Sequence, residues 1–246
     1  MLKLEELYLY PIKSCKGIKV SELTITERGA EFDRHWMLVD TNGKFITQRQ
    51  FPKMSLIQTS IEYNGLMISF GNHEYKIKSS SNEEKQIQVW KSEFNASICT
   101  GEWNEALSDF LQTKCQLVEY IESSPRKETQ ARFHDSQAIL LVNLESLADL
   151  NSKLKEKITV ERFRPNIVVS GLPAFSEDQL KTITLGEVEF EVVKPCSRCV
   201  IVNVDPNLGQ TESGEVLKTI AGYRKVGNSI NFGVLLRGRK AFFKLD

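Results

Sequence analysis

Along the first half of the chain, apolar and polar residues follow the short-period pattern of half-buried strands. Leu4–Tyr10 sets Leu4, Leu7 and Leu9 among polar neighbours and ends at Pro11. Ile18–Thr26 alternates Ile18 and Val20, then Leu23 and Ile25, and the one-residue shift between them reads as a bulge. Trp36–Val39 and Lys44–Thr47 flank Asp40-Thr41-Asn42-Gly43, and Asn64-Gly65 separates Leu56–Tyr63 from Leu66–Phe70. Each Asn-Gly pair is a hairpin signal, because type I′ turns need positive φ at both central residues. Tyr75–Ile77 and Ile87–Trp90 follow. Many short strands at near-regular spacing predict an antiparallel barrel or sandwich.

The pattern then changes period. Trp103, Leu107, Phe110 and Leu111 predict a helix over Glu102–Thr113. Cys115–Ile121 reads as a strand, 122–130 as a polar loop, and Ala138–Val142 as a buried strand. Leu144, Leu147, Leu150 and Leu154 predict the clearest helix, Leu144–Lys157, with lysines at its C-terminal end where they suit the helix dipole. Strands are expected at Asn166–Val169, Thr182–Leu185, Val188–Val193, Val200–Val204, Ile230–Leu236 and Ala241–Leu245, with a short helix at Gly214–Tyr223. The fold class is therefore mostly β with a few helices (α+β). A boundary near 115–125 divides the chain into units 1–117 and 118–246.

Composition narrows the function. The 246 residues carry 32 Lys+Arg against 32 Asp+Glu, which disfavours a globally basic nucleic-acid binder. No apolar stretch approaches the roughly 20 residues needed to span a bilayer, and the opening MLKLEELYLYPIKS lacks the apolar run of a signal peptide. The cysteines, Cys15, Cys99, Cys115, Cys196 and Cys199, are too few and odd in number for a secreted disulfide framework. The expected compartment is a reducing cytoplasm.

Three segments carry candidate chemistry. In Lys194-Pro-Cys-Ser-Arg-Cys-Val200, two thiols three residues apart can share a metal, form a redox disulfide or be inert core thiols. A zinc site needs a second ligand pair that the sequence lacks. A thioredoxin-like pair should open a helix, whereas Val200, Ile201 and Val202 favour a strand or turn. Arg198 between the cysteines favours a thiolate, the metal-binding form. In Tyr10-Pro-Ile-Lys-Ser-Cys-Lys-Gly17, lysines, a hydroxyl and a glycine in a turn suit a phosphate, although the glycine spacing is not that of a P-loop. In Arg162-Phe-Arg-Pro-Asn166, the proline is expected to hold Arg164 extended. Asp33-Arg34-His35-Trp36 sets charge at the start of an apolar strand, and His35 and His134 are expected to be ordinary structural histidines.

Taken in order, Tyr-Pro-Ile-Lys-Ser-Cys-Lys-Gly at 10–17, Asp-Arg-His-Trp at 33–36, Phe-Arg-Pro-Asn-Ile-Val at 163–168 and Lys-Pro-Cys-Ser-Arg-Cys at 194–199 carry a resemblance. Asp205-Pro206 and Phe232-Gly233 add to it. The chain resembles MOSC-domain proteins with an N-terminal MOSC β-barrel domain, including the mitochondrial amidoxime-reducing component and its bacterial relatives. The resemblance implies an N-terminal β-barrel-like domain (1–117) followed by a C-terminal MOSC β-barrel domain (118–246). It implies the molybdenum cofactor, a molybdopterin with a phosphate tail, and Cys199 as the catalytic protein ligand to the metal. It places Lys13, Ser14, Arg34, Arg164 and Asn166 on cofactor-holding positions, with Ser197 and Arg198 beside the ligand and Asp135 and Ser136 in a further contacting segment. The activity implied is reduction of N-oxygenated (N-hydroxylated) substrates. The chain has no further cysteines for a cluster, so electrons are expected from a separate protein of ferredoxin, flavoprotein or cytochrome b5 type. The alternative is a cofactor carrier or sulfur-handling MOSC module without reductase turnover, and a third reading is a structural cysteine pair in a β-rich binding protein. The site is expected where the two halves meet.

Overall fold

The protein is described from a computed structural model at residues 2–63, 65–77, 83–123, 131–136, 139–238 and 240–245. Asn64 of the second Asn-Gly pair, most of the predicted loop (124–130) and Ala138 lie outside the described residues.

In the N-terminal half, the strands Trp36–Val39, Gln116–Tyr120, Ser92–Ile98 and Glu84–Val89 form one sheet, and Gln58–Glu62, Gly65–Phe70 and His73–Ile77 form another. Helix α1 (Trp103–Leu111) packs Leu107 and Leu111 into the core these sheets share, with Trp36, Leu38, Met54, Leu66, Ile68 and Leu117. The chain turns at the first Asn-Gly pair as expected, but not as a type I′ hairpin: only Gly43 has positive φ (78°), its N–H donates to Asp40 O at 3.0 Å, Asp40 Oδ1 accepts the N–H groups of Asn42 and Lys44, and the expected strand Lys44–Thr47 is reduced to isolated bridges at Lys44 and Phe45.

The largest sheet runs in the order Thr182–Leu185, Val188–Ser197, Ser229–Arg237, Ile139–Asn143, Ile167–Ser170, Lys3–Leu9 and Ile18–Val20. Ile139–Asn143 and Ile167–Ser170 pair in parallel, while the opening strand Lys3–Leu9 pairs antiparallel with Ile167–Ser170. Successive residues feed opposite cores, as a period of two requires. Leu7, Leu9, Ile139, Leu141 and Ile167 face one core with Ile25 and Phe243. Tyr8, Tyr10, Leu140, Val142 and Val168 face the other, which α2 (Leu144–Asn151) and α3 (Glu215–Arg224) cover with Leu147, Leu150, Val216 and Ile220. Burying each large aliphatic side chain contributes about 1.5–3 kcal/mol.

Three further expectations are corrected. The helix predicted over Leu144–Lys157 stops at Asn151. The Asn151 side chain closes onto the backbone of Ile158, donating to its carbonyl at 3.0 Å and accepting its N–H at 2.9 Å, so 152–157 loops out. Ile18–Thr26 is not one bulged strand but two, Ile18–Val20 and Glu22–Thr26, which break at Ser21 and enter different sheets. Val200–Asn203 is a 3-10 turn rather than a strand, because Val202 N–H bonds Cys199 O at 3.2 Å. The strand before it extends to Ser197 and so carries Cys196 to its end.

Candidate functional site

The opening strand, the turn before Ile167 and the long strand Val188–Ser197 all release the chain around one cavity of about 480 Å³. Every residue expected at the site lines it. The first turn supplies Lys13 and Ser14, and the loop after Gly29–Ala30 supplies Arg34. Asp135 and Ser136 come from the segment after Phe133, Arg164 and Asn166 from the turn before Ile167, and Ser197, Arg198 and Cys199 from the end of the long strand.

One end is cationic. Lys13 is buried and donates to Phe133 O at 2.7 Å and to Asp135 Oδ1 at 2.5 Å. Arg34 pairs with the buried Asp33 carboxylate and reaches Arg164 O at 3.2 Å. Arg164 donates to Cys15 O at 2.6 Å, and its Nη2 is buried with no hydrogen-bond partner. Both guanidiniums lie over the Tyr10 ring, each 4.3 Å from its centroid. Burial and the neighbouring Arg34 charge pull the Arg164 pKa down to about 10, and the cations lining the cavity outnumber its one carboxylate, Asp135. Arg164 is not extended as expected. It adopts φ 57° and ψ 49° at the end of the 3-10 turn Val160–Phe163, where its N–H bonds Glu161 O at 3.0 Å. Ser14 and Arg34 also have positive φ, 66° and 47°. Left-handed backbone costs a non-glycine residue about 1–3 kcal/mol and collects at functional sites.

The other end holds the thiols. Cys196 and Cys199 are both half-buried. Arg198, which the sequence sets between them, turns to Cys196: its Nη1 is 3.0 Å from Cys196 Sγ, and its Nη2 donates to Phe163 O at 2.6 Å. The guanidinium at Cys199 belongs to Arg49, whose Nη2 is 3.4 Å from Cys199 Sγ. Asn166 lines the cavity and also ties strands together, accepting from Leu140 N at 3.2 Å and donating to Tyr8 O at 3.3 Å.

Sequence reasoning missed Arg49 and Trp90, whereas His134 is the structural histidine expected. Arg49 is one charged residue in a loop, and Trp90 follows a strand, so neither carries a periodic or spacing signal. His134 sits beside Asp135, and its Nε2 lies 2.9 Å from Asp33 Oδ2. Burial lowers its pKa to about 4, leaving it neutral near pH 7. His35 bonds Glu119 instead, at 3.2 Å. Burial opposes the Asp135 charge, but Lys13 and the Trp90 indole N–H outweigh it and hold the carboxyl well below its usual range.

Residues 1–114 match the family described as MOSC N-terminal beta barrel domain, and residues 128–241 match the MOSC domain. The chain is 33% identical to mitochondrial amidoxime reducing component 2 of Rattus norvegicus over 92% of this chain and 73% of that protein. It is 32% identical to mitochondrial amidoxime-reducing component 1 of Homo sapiens over 89% of this chain and 71% of that protein. It is also 31% identical to molybdenum cofactor sulfurase of Oryza sativa subsp. japonica, over 96% of this chain but 32% of that protein. Two consecutive domain matches, together with relatives aligned along most of their own length, place the chain in the family of MOSC proteins that carry the MOSC N-terminal beta barrel domain.

Proposed function

We propose that the protein binds the molybdenum cofactor and reduces N-oxygenated substrates, with Cys199 as its ligand to the metal. The observation that carries this reading is a single cavity with excess buried positive charge at one end and a half-buried thiol at the other. The orphaned Arg164 Nη2 fits an absent anion, since a phosphate would satisfy it and relieve the Arg34–Arg164 repulsion. Molybdenum takes soft sulfur ligands, and a cysteine thiolate is one.

In this reading Lys13, Ser14, Arg34 and Arg164 hold the phosphate tail, and Asn166, Ser197 and Arg198 face the remaining polar edge. When bound, the cofactor supplies two-electron cleavage of an N–O bond. Asp135 is ionised, so in this reading it faces the cofactor as a hydrogen-bond acceptor, with Ser136 beside it as a neutral donor. His134 is neutral and engaged with Asp33, so it orients that carboxylate rather than supplying a proton near pH 7. Two electrons per turnover come from a separate protein of ferredoxin, flavoprotein or cytochrome b5 type. All five cysteines are free, which suits a reducing compartment such as the cytoplasm. Among the described residues no helix is long and apolar enough to cross a membrane.

Protein made in a cofactor-competent host is expected to carry molybdenum and a fluorescent pterin, and Cys199→Ala to lose the metal while staying folded. Dithionite-reduced protein is expected to convert an N-hydroxylated amidine to the amidine. Folded protein free of molybdenum and pterin would overturn the reading. Metal-loaded protein that never turns over would instead favour a cofactor carrier, a reading supported by similarity to the sulfurase along 96% of this chain.

A further inference from the structure

Arg49 lies 150 positions from Cys199 in the chain, yet its guanidinium meets the sulfur at 3.4 Å. The ring of Trp90 lies beneath that guanidinium, 4.8 Å away at the centroid. Trp90 is held in turn. Its backbone is left-handed at φ 57°, its indole Nε1 donates to Asp135 Oδ1 at 2.8 Å, and Phe45 packs on it at 5.1 Å. Asp135 is anchored by Lys13 at 2.5 Å. A long side chain loses much rotamer freedom when fixed, and a braced cation–π partner lowers that cost. The other cavity arginines are tied differently, Arg34 to a carboxylate, Arg164 to a backbone carbonyl, and Arg198 to a carbonyl and Cys196. Arg49 is in salt-bridge contact with no carboxylate among the described residues: its guanidinium touches the Cys199 sulfur and the Trp90 ring, and it attracts the Asp135 carboxylate only at longer range.

We propose that Arg49, braced by Trp90, is a positioning residue for the Cys199 sulfur, fixing its direction and presenting a positive charge to it from the N-terminal half of the chain. Its meaning in turnover rests on the reading of Cys199 as metal ligand, whereas the contact itself does not. A hydrogen bond to a ligating sulfur withdraws electron density from the metal and raises its potential. Arg49 therefore tunes the centre through the Cys199 sulfur.

The test compares alkylation of full-length, cofactor-free protein by anionic iodoacetate and neutral iodoacetamide at one pH. Both reagents attack the same thiolate, so their rate ratio cancels the thiolate fraction and reads the local charge. Trypsin cleaves after Arg198, which puts Cys196 and Cys199 on separate peptides for mass spectrometry. Arg49→Gln is expected to lower the iodoacetate/iodoacetamide ratio at Cys199 roughly fourfold, the effect of one charge about 5 Å away in a water-like dielectric. The ratio at Cys196 is expected to stay constant, Arg49→Lys to restore most of the effect, and Trp90→Ala to give an intermediate fall that Trp90→Phe does not. An unchanged ratio at Cys199, or an equal fall at Cys196, overturns the proposal. Should Arg49→Gln fail to fold, Arg49→Lys and the Trp90 pair decide by the same ratio. In metal-loaded protein, Arg49→Gln is expected to lower the molybdenum midpoint potential and shift its EPR signal, with KM unchanged. A protein that takes up no molybdenum defeats the ligand reading of Cys199 and leaves the alkylation result to decide the role of Arg49.

Discussion

Tyr10 organises the cationic end. Its ring carries the Arg34 and Arg164 guanidiniums, and Gly17 is the residue that admits it, since a Cβ at Gly17 would lie 2.3 Å from Tyr10 Cε1. Gly17→Ala is expected to displace the ring, cost about 1–3 kcal/mol in urea unfolding, and weaken phosphate or cofactor retention more than Cys199 reactivity. Asp33 and His134 give the site a pH dependence of known sign. Burial pushes the Asp33 carboxyl up, but Arg34, His134 and the Tyr10 N–H outweigh it and leave it at about 2. Its stabilisation is complete above the unfolded carboxylate range near pH 4 and is lost as pH falls towards 2. His134 is held neutral with a folded pKa of about 4 against an ordinary 6.5, so the unfolded chain takes up a proton first and stability falls as pH drops from 6.5 to 4. Together they predict progressive acid destabilisation from pH 6.5 downward, about 3 kcal/mol by pH 4 and nearly all of it from His134. His134→Gln is expected to flatten the upper part of that profile, as measured by urea midpoints across pH.

Elements were legible where packing agrees with local pattern and illegible where a side chain overrides it. Trp36–Val39 and Thr182–Leu185 match the expected bounds because each is a short apolar or alternating run with turns at both ends. The helix after Asn143 was legible at its start, where the Asn143 side chain accepts the Glu145 N–H at 3.2 Å. Its end was not, because Leu154 continues the helical spacing and still packs at the core edge while Asn151 has already captured Ile158. Asn151→Ala is expected to cost about 1–2 kcal/mol and to speed hydrogen exchange at the Ile158 amide, with exchange in Leu144–Leu150 less affected. The motif segments were legible because each holds several chemical groups in a few residues, which is how the cavity lining could be anticipated. Partners that act alone across the fold were not: nothing in the sequence joins Arg49 to Cys199, or redirects Arg198 to Cys196, until the strand and the 3-10 turn set their directions.

At the scale of the molecule, the two matched domains share their sheets. The opening strand Lys3–Leu9 lies in the same sheet as the strands between 139 and 237, and Ala241–Lys244 pairs with Glu22–Thr26. A fragment of 118–246 lacks one neighbour of Ile167–Ser170 and the part of the cavity wall made by Lys13, Ser14, Arg34 and Arg49, so it is expected to be unfolded by circular dichroism. Co-expression with 1–117 is expected to rescue it. Equal numbers of acidic and basic residues conceal this arrangement, because the balance holds over the whole chain while Lys13, Arg34, Arg49, Arg164, Lys194 and Arg198 line one cavity with a single carboxylate, Asp135. The central place of the opening strand also bears on biosynthesis. Tyr8 and Asn166 bond across 158 positions, so the strand Lys3–Leu9 must wait on the ribosome for its central partner, Ile167–Ser170, with only Ile18–Val20 beside it. At roughly 5–20 residues per second, that wait lasts many seconds. Residues that line the cavity run from Lys13 to Leu235, so any large ligand it holds is loaded only after the strand Ser229–Arg237 has left the ribosome and paired.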